Sequence, residues 1–225
     1  MKKLTLIATA ALVAGLVSAS SAQYPHNGYI GIYADAAGTQ CCITAPMYTP
    51  TTAYVMSTLA DSTANGVTGA EFRIEFSPGT AGYVVQWTAD PGVDVAIGSP
   101  IDETPLDPAD PRGCNLAFNT CRPTTPGAQI TWGTLGFVAL SATPAELTLR
   151  VKQKSPPNNQ FHKCPLFVLC DAPVFTAVNM TLTQDALGGE EPVAFTAYVN
   201  RAGCTACGPV AVAPVTWSGV KELFR

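Results

Sequence analysis

Apolar and polar residues alternate along most of this chain, and that period of two constrains its fold more than any other feature. In residues 71–76, Phe72, Ile74 and Phe76 fall on one side of an extended chain and charged residues fall on the other. Such alternation is typical of an antiparallel strand with one buried face. The pattern recurs at residues 147–152, and further strands are predicted at 29–34, 53–59, 83–88, 129–135, 174–182 and 193–200.

Turn-forming sequences separate the predicted strands, among them Asn65-Gly66 and Gly188-Gly189. Short strands at this spacing, without a long helical pattern, predict an all-β fold, namely an antiparallel β-sandwich. Residues 90–126 are rich in Pro and Asp, and we expect a long excursion from one edge or end of the sandwich there. After a linker at 208–214, apolar residues of 217–224 recur at helical spacing, which predicts a short amphipathic C-terminal helix.

The first 22 residues have the layout of a secretory signal peptide. Residues 1–3 form a short basic n-region with Lys2 and Lys3, residues 4–17 form an apolar run, and small residues end at Ala22, where cleavage is expected. The apolar run is shorter than the roughly 20 residues that span a bilayer, and no later segment is a candidate span. The expected organisation is a signal peptide at 1–22, a β-sandwich domain at 23–207 and a linker with a helix at 208–225. We therefore expect a secreted or periplasmic protein.

Composition argues against several partners. Only 12% of the residues are charged, 47% are hydrophobic and the formal net charge is -4. The apolar content is sufficient for a packed core. The Lys and Arg residues are scattered, so nucleic acid is not an expected partner.

Residues 65–76 read Asn-Gly-Val-Thr-Gly-Ala-Glu-Phe-Arg-Ile-Glu-Phe. This segment, with the order of predicted strands over about 29–200, resembles the cohesin-type or immunoglobulin-like β-sandwich of bacterial scaffolding and carbohydrate-binding modules. The resemblance implies a non-catalytic domain that binds a protein or a polysaccharide. Residues 216–225 resemble the tails of uncharacterised secreted bacterial proteins, which implies no activity.

Eight cysteines lie in the expected mature chain, and an even number in an exported protein predicts disulfides. Short spacing predicts two local bridges, Cys114–Cys121 and Cys164–Cys170. Sequence alone leaves the pairing of the others open.

The remaining cysteines are Cys41, Cys42, Cys204 and Cys207. In a cohesin-like sandwich the first and last strands lie side by side and parallel, so the resemblance implies two bridges between Cys41-Cys42 and the Cys204/Cys207 pair. A redox role for Cys204-x-x-Cys207 is an alternative, although the pair does not begin a helix within a βαβ unit. A zinc site assisted by His26 or His162 is another alternative, which an oxidising compartment disfavours.

Sequence motifs of common enzymes are absent. The chain has no Gly-x-Ser-x-Gly elbow, no His-Glu-x-x-His and no Walker motif. A glycosidase needs only two carboxylates, so an enzyme acting on polysaccharide stays open. Glu71 and Glu75 are expected on a solvent face with Arg73 between them, where charge pairing is the simpler role.

Two further sets of residues are candidate binding sites. Acidic residues of 90–110 suit Ca²⁺, with Asp90, Asp94, Asp107 and Asp110 as candidate ligands, although their spacing matches no defined calcium loop. Exposed aromatic rings stack on sugars, and the candidates are Tyr83, Trp87, Trp132 and Tyr198. Tyr83 and Trp87 share a predicted strand face with Val85, and Trp132 shares one with Ile130, so core packing is the alternative for these three rings. The orientation of Tyr198 stays open.

Together these features predict a non-catalytic structural, adhesion or protein-interaction module outside the cytoplasm. A carbohydrate-binding module, with or without calcium, is the alternative, and the partner is a protein or polysaccharide at the cell surface.

Overall fold

The computed structural model describes residues 28–59, 66–102, 112–122, 128–154, 165–170, 176–179 and 196–204. This part of the chain contains strands and no helix. The strands are β1 Gly28–Tyr33, β2 Cys42–Ile43, β3 Thr51–Leu59, β4 Val67–Ser77, β5 Tyr83–Ala89, β6 Val95–Ser99, β7 Ile101–Asp102, β8 Gly113–Arg122, β9 Gln129–Ala139, β10 Leu147–Lys152, β11 Leu166–Leu169, β12 Thr176–Asn179 and β13 Thr196–Val199. Each strand predicted from alternation is present, within a few residues of its expected bounds.

The strands form two sheets. One has the order β1-β3-β9-β5, and the other contains β12-β11-β4-β10-β13-β2, with β8 and β7 paired to β4 and β6 paired to β8. All pairings are antiparallel except β13 with β2 and β4 with β7. The predicted antiparallel β-sandwich is confirmed.

The core lies between the sheets and is rich in aromatic rings. Phe72 of β4 meets Trp87 of β5 edge to face, with ring centroids 6.1 Å apart. Trp132 of β9 stacks on Phe118 of β8 at 5.3 Å and lies 6.3 Å from Phe167 of β11. These contacts join strands of opposite sheets, as expected when two inner faces interdigitate.

The region predicted as an excursion, residues 90–126, contributes strands to the second sheet. Its alternating residues Cys114, Leu116 and Phe118 are buried on β8, while β6 pairs with β8 along its length. The local bridge Cys114–Cys121 was therefore wrong. Both residues lie in one strand, where seven residues of extended chain span about 23 Å.

The prediction that the first and last strands lie side by side was also wrong. β1 lies in the four-stranded sheet and pairs with β3, whereas β13 pairs in parallel with β2. Tyr198 is opposite Cys42 in that register. This pairing still brings Cys42 beside the end of β13, and a disulfide joins it to Cys204 with the Cα atoms 5.8 Å apart.

Glu71 is buried at 6% exposure, against the expectation of a solvent face. It lies on β4 between Leu166 of β11 and Asn115 of β8, so strands flank it on both sides. Arg73 and Glu75, further along the strand, are partly exposed and form an ion pair at 3.8 Å.

Several predictions fall outside the described residues. These are the signal peptide at 1–22, the linker and helix at 208–225, His26, His162, Cys164, Cys207, Asp107 and Asp110. The domain bounds 23–207 stay a prediction. Where the chain is described, no helix has the length and apolar character to cross a membrane.

Candidate interaction surface

The four-stranded sheet is built from strands without charge. None of β1, β3, β5 and β9 contains Asp, Glu, Lys or Arg. The second sheet differs, since β4 and β10 carry Glu71, Arg73, Glu75, Arg150 and Lys152. Charge is therefore segregated between the two layers of the sandwich.

The outer face of the four-stranded sheet consists of Thr, Gln, Tyr, Val and Gly. Along β5, Val84, Gln86 and Thr88 are exposed, while Tyr83 is buried and Trp87 is half-buried against the core. The strand register extends this outer row over β9 and β3, to Val138, Gly136, Thr134, Thr52 and Tyr54. We call this set the uncharged face.

One end of the uncharged face has exposed apolar groups. Val84 is 53% exposed and Leu140 is 46% exposed, and the Leu140 N–H donates to the Gly82 carbonyl at 2.9 Å. Tyr48 is 67% exposed, and its N–H donates to the Ala139 carbonyl at 2.9 Å. Exposed apolar side chains grouped in this way are typical of interaction surfaces.

The four aromatic candidates for sugar stacking do not form an exposed platform. Trp132 is fully buried, and its indole N–H donates to the Ser57 hydroxyl at 2.7 Å. Tyr83 is buried, which raises the pKa of its phenol, and its hydroxyl accepts from Asn200 Nδ2 at 2.9 Å. Tyr198 is buried beneath the Arg201 guanidinium, which lies 4.1 Å from the ring centroid. Trp87 points inward against Phe72. Core packing therefore accounts for these rings.

The two described calcium candidates are used in local structure. Asp90 Oδ1 accepts from the Gly92 N–H at 2.8 Å, and Asp94 Oδ2 accepts from the Asn119 N–H at 2.7 Å. Within the described ranges they belong to no group of metal-ligating side chains. With Asp107 and Asp110 outside those ranges, calcium stays a prediction.

Three cysteine sulfurs lie within 4.8 Å of one another, those of Cys41, Cys42 and Cys204. Cys42 and Cys204 share a bridge, and Cys41 is in a disulfide whose partner lies outside the described residues. Sulfurs in disulfides are not thiolates and so are not metal ligands. Because Cys204 pairs with Cys42, the Cys204-x-x-Cys207 segment does not form the internal bridge that a redox site requires.

A second disulfide joins Cys121 at the end of β8 to Cys170 after β11, with a Cα separation of 5.8 Å. The predicted Cys164–Cys170 bridge was therefore wrong as well. Cys114 is a free, buried thiol, and burial raises its pKa to about 12. Such a thiol is inert rather than catalytic.

An open pocket lies at the other end of the uncharged face, where β5 ends and β9 begins. Its volume is about 300 Å³ and it is lined by Asp90, Gly92, Phe118, Arg122, Gln129, Ile130 and Thr131. Sequence analysis missed both this pocket and the uncharged face. The absence of charged residues from four predicted strands was the signal for the face, but only the strand order shows that those four strands are neighbours.

Fold and surface together define a disulfide-bonded β-sandwich with one uncharged outer face. Among solved structures, the chain is similar to the sixth cohesin of scaffoldin B from Acetivibrio cellulolyticus, solved in complex with a dockerin. That match has 10% identity and a TM-score of 0.37, over 69% of this chain and 99% of the cohesin. It is also similar to the seventh ScaB type I cohesin from Pseudobacteroides cellulosolvens, with 10% identity and a TM-score of 0.37, over 81% of this chain and 96% of the cohesin. No protein-family model and no curated protein matches the sequence.

Proposed function

We propose that this protein is a non-catalytic extracytoplasmic module that binds a protein partner through the uncharged face. The observation that carries the proposal is the absence of charged residues from all four strands of the sheet that presents this face. Soluble protein surfaces are designed with roughly 25 to 35% charged residues of both signs, and this chain as a whole has 12%. A sheet face without any is expected to be covered by a partner.

The chemistry of the face suits a protein partner. The centres of protein interfaces are depleted in charged residues and enriched in aromatic ones, because an unpaired charge is costly to desolvate. Thr52, Thr88 and Thr134 lose little side-chain entropy on binding, since β-branched residues have few rotamers. Their hydroxyls and the Gln86 amide supply donors and acceptors for specificity.

Two features support a location outside the cytoplasm. Residues 1–22 have the layout of a secretory signal, and the described part of the chain holds the disulfides Cys42–Cys204 and Cys121–Cys170. Disulfides persist in oxidising compartments such as the periplasm and the extracellular medium. Together with the uncharged face, these features support the proposal of a structural or adhesive role at the cell surface.

A carbohydrate is the second candidate ligand. Tyr54 lies half-buried on the uncharged face, opposite Thr134, and amphipathic rings beside hydroxyl groups suit sugars. Protein is preferred because Tyr83 and the two described tryptophans, Trp87 and Trp132, turn their rings to the core, so no described tryptophan lies on the face.

Charge introduced into the face tests the proposal. Thr52 and Thr88 are exposed on β3 and β5, and Thr143 is exposed in the loop after β9 as a matched control. We expect Thr52→Lys and Thr88→Lys to reduce capture of a specific protein from envelope and culture-supernatant fractions by about tenfold or more, with Thr143→Lys unchanged.

If all three variants capture the partner as well as the wild-type chain does, the binding surface lies elsewhere. Retention on immobilised polysaccharide, sensitive to the face variants and without a protein partner, would favour the carbohydrate alternative.

A further inference from the structure

The pocket at the end of the uncharged face holds one cation and one anion on an apolar floor. Arg122 and Asp90 supply the charges, and Phe118 and Ile130 supply the floor. Thr88 and Ala89 of β5 pair with Thr134 and Gly133 of β9 immediately before the pocket. The pocket therefore borders the uncharged face, and a partner bound to that face would contact the rim of the pocket.

The Arg122 guanidinium is held in place by an aromatic ring and a backbone carbonyl. It lies 4.7 Å from the centroid of the Phe118 ring, and Nη2 donates to the Gly92 carbonyl at 2.9 Å. Arg122 forms no ion pair with the described residues. A guanidinium has five N–H donors in a rigid fork, so donors remain for a ligand.

Arg201 shows the contrasting arrangement in the same molecule. It also lies over an aromatic ring, that of Tyr198 at 4.1 Å, but it forms an ion pair with Glu146 at 3.5 Å. Both arginines are stacked. Among the described residues, Arg201 has a carboxylate partner, whereas Arg122, which borders the pocket, has none.

Asp90 gives the pocket a second specificity. Its Oδ1 accepts from the Gly92 N–H at 2.8 Å, so Gly92 is bound on both sides, through its N–H to Asp90 and its carbonyl to Arg122. A carboxylate accepts several hydrogen bonds, which leaves acceptor capacity toward the pocket. With both signs present, the pocket suits a ligand that brings a carboxylate together with an N–H donor.

We propose that this pocket binds the acidic side chain of an aspartate or glutamate on a protein partner. The carboxylate accepts bidentate hydrogen bonds from Arg122 while an N–H of the same peptide donates to Asp90. The inference deepens the proposed function and rests on it only for the source of the carboxylate. The partner would then present an uncharged surface with an acidic residue at the edge of that surface.

The test uses three small probes and the full chain in its oxidised form. N-acetyl-L-glutamate N-methylamide, its glutamine analogue and D-galacturonate are titrated while ¹H–¹⁵N shifts are recorded. We expect the glutamate probe to shift the amide signals of Phe118, Gln129 and Thr131. The affinity for the glutamine analogue should be lower by about tenfold or more, because hydrogen bonds to charged groups are stronger than those to neutral groups.

Variants assign the binding to the guanidinium. Arg122→Gln is expected to lower the affinity for the glutamate probe about tenfold or more, and Arg122→Lys to recover part of it, whereas Arg201→Gln leaves it unchanged. Equal binding of glutamate and glutamine probes, or no effect of Arg122→Gln, would overturn the proposal. Tighter binding of galacturonate than of the glutamate probe would assign the carboxylate to a polysaccharide instead. Thr52→Lys, on β3 opposite Gly136 and away from the pocket lining, does not alter these titrations, so failure of the proposed function is distinguishable from failure of this site.

Discussion

The indole N–H of Trp132 donates a 2.7 Å hydrogen bond to the hydroxyl of Ser57, and both side chains are completely buried. This bond satisfies the one polar atom of the largest ring in the core. Because Trp132 also stacks on Phe118 of the opposite sheet, it connects strand pairing in one layer with packing between layers.

Ser57→Ala is expected to lower the free energy of unfolding by about 1 to 3 kcal/mol. The change leaves the Trp132 N–H buried without this acceptor, and such a group retains its full desolvation cost. Urea denaturation followed by tryptophan fluorescence measures the effect. Ser141→Ala, at an exposed loop position, is the matched control and is expected to change stability by less than about 0.5 kcal/mol. A Ser57→Ala variant as stable as this control would show that Trp132 finds another acceptor.

Gly133→Ala and Gly136→Ala, both on β9, are expected to differ sharply. A methyl group at Gly133 would lie 2.5 Å from the Thr88 carbonyl oxygen and 2.6 Å from Trp87 Cζ2, whereas one at Gly136 would have its nearest neighbour, the Gln86 carbonyl oxygen, at 3.9 Å. Overpacking of a core typically costs about 1 to 3 kcal/mol, so Gly133→Ala should lower the thermal midpoint and Gly136→Ala should not. Similar midpoints for the two variants would mean that both the Trp87 ring and the β5 backbone at Thr88 move aside freely.

Loss of Cys121–Cys170 should destabilise the protein more than loss of Cys42–Cys204. The neighbouring Cys41 is in another disulfide, which keeps much of the 162-residue loop of Cys42–Cys204 closed when that bridge is removed. The 49-residue separation of Cys121–Cys170 corresponds to about 4 kcal/mol on the chain-entropy model. The double variants Cys42→Ala/Cys204→Ala and Cys121→Ala/Cys170→Ala are compared by denaturant unfolding. A non-reducing peptide map of the wild-type chain checks the pairing itself. A Cys204–Cys207 peptide in that map would contradict the bridge between β2 and the end of β13.

The Cys114 thiol is expected to resist alkylation in the folded protein. Burial raises its pKa to about 12, so at pH 8 it is protonated and enclosed, and iodoacetamide should modify it only after unfolding. A group whose pKa is raised on folding stabilises the fold below its unfolded pKa, here 9.0, and that contribution falls as pH rises toward 12. The stability difference between wild type and Cys114→Ala should therefore shrink above about pH 9. Rapid labelling of the native chain would show that this part of the core opens.

Alternation of residues was sufficient to predict the long strands because side chains on a strand point to opposite faces in turn. It succeeded at β4 and β10, where polar and apolar residues change places at every step. At β8, Cys114, Leu116 and Phe118 show the same alternation. The neighbouring Pro and Asp residues and the short spacing of Cys114 and Cys121 favour a loop instead, so alternation alone did not predict this strand. The two-residue β2 carries too few residues to show any period.

The pairings of cysteines and the roles of aromatic rings depended on distances that no local pattern contains. Cys121 meets Cys170 because β8 and β11 flank β4 and both reach its first residue, Val67, beyond which the two chains come together. Tyr83 and Trp132 are core residues because the second sheet covers the inner faces of β5 and β9. Their residue types made Tyr83 and Trp132 candidates for sugar binding, but their burial in the core rules out that role.

The sequence by itself determined the all-β class, the main strands and the shortage of charge in the segments that became β1, β3, β5 and β9, because each is a property of neighbouring residues along the chain. Only the tertiary structure decided that those four strands are neighbours in one sheet, that Cys42 meets Cys204, and that Arg122 borders a pocket with Asp90. These relationships join residues far apart in sequence. They depend on strand order, which is set by the packing of the whole core.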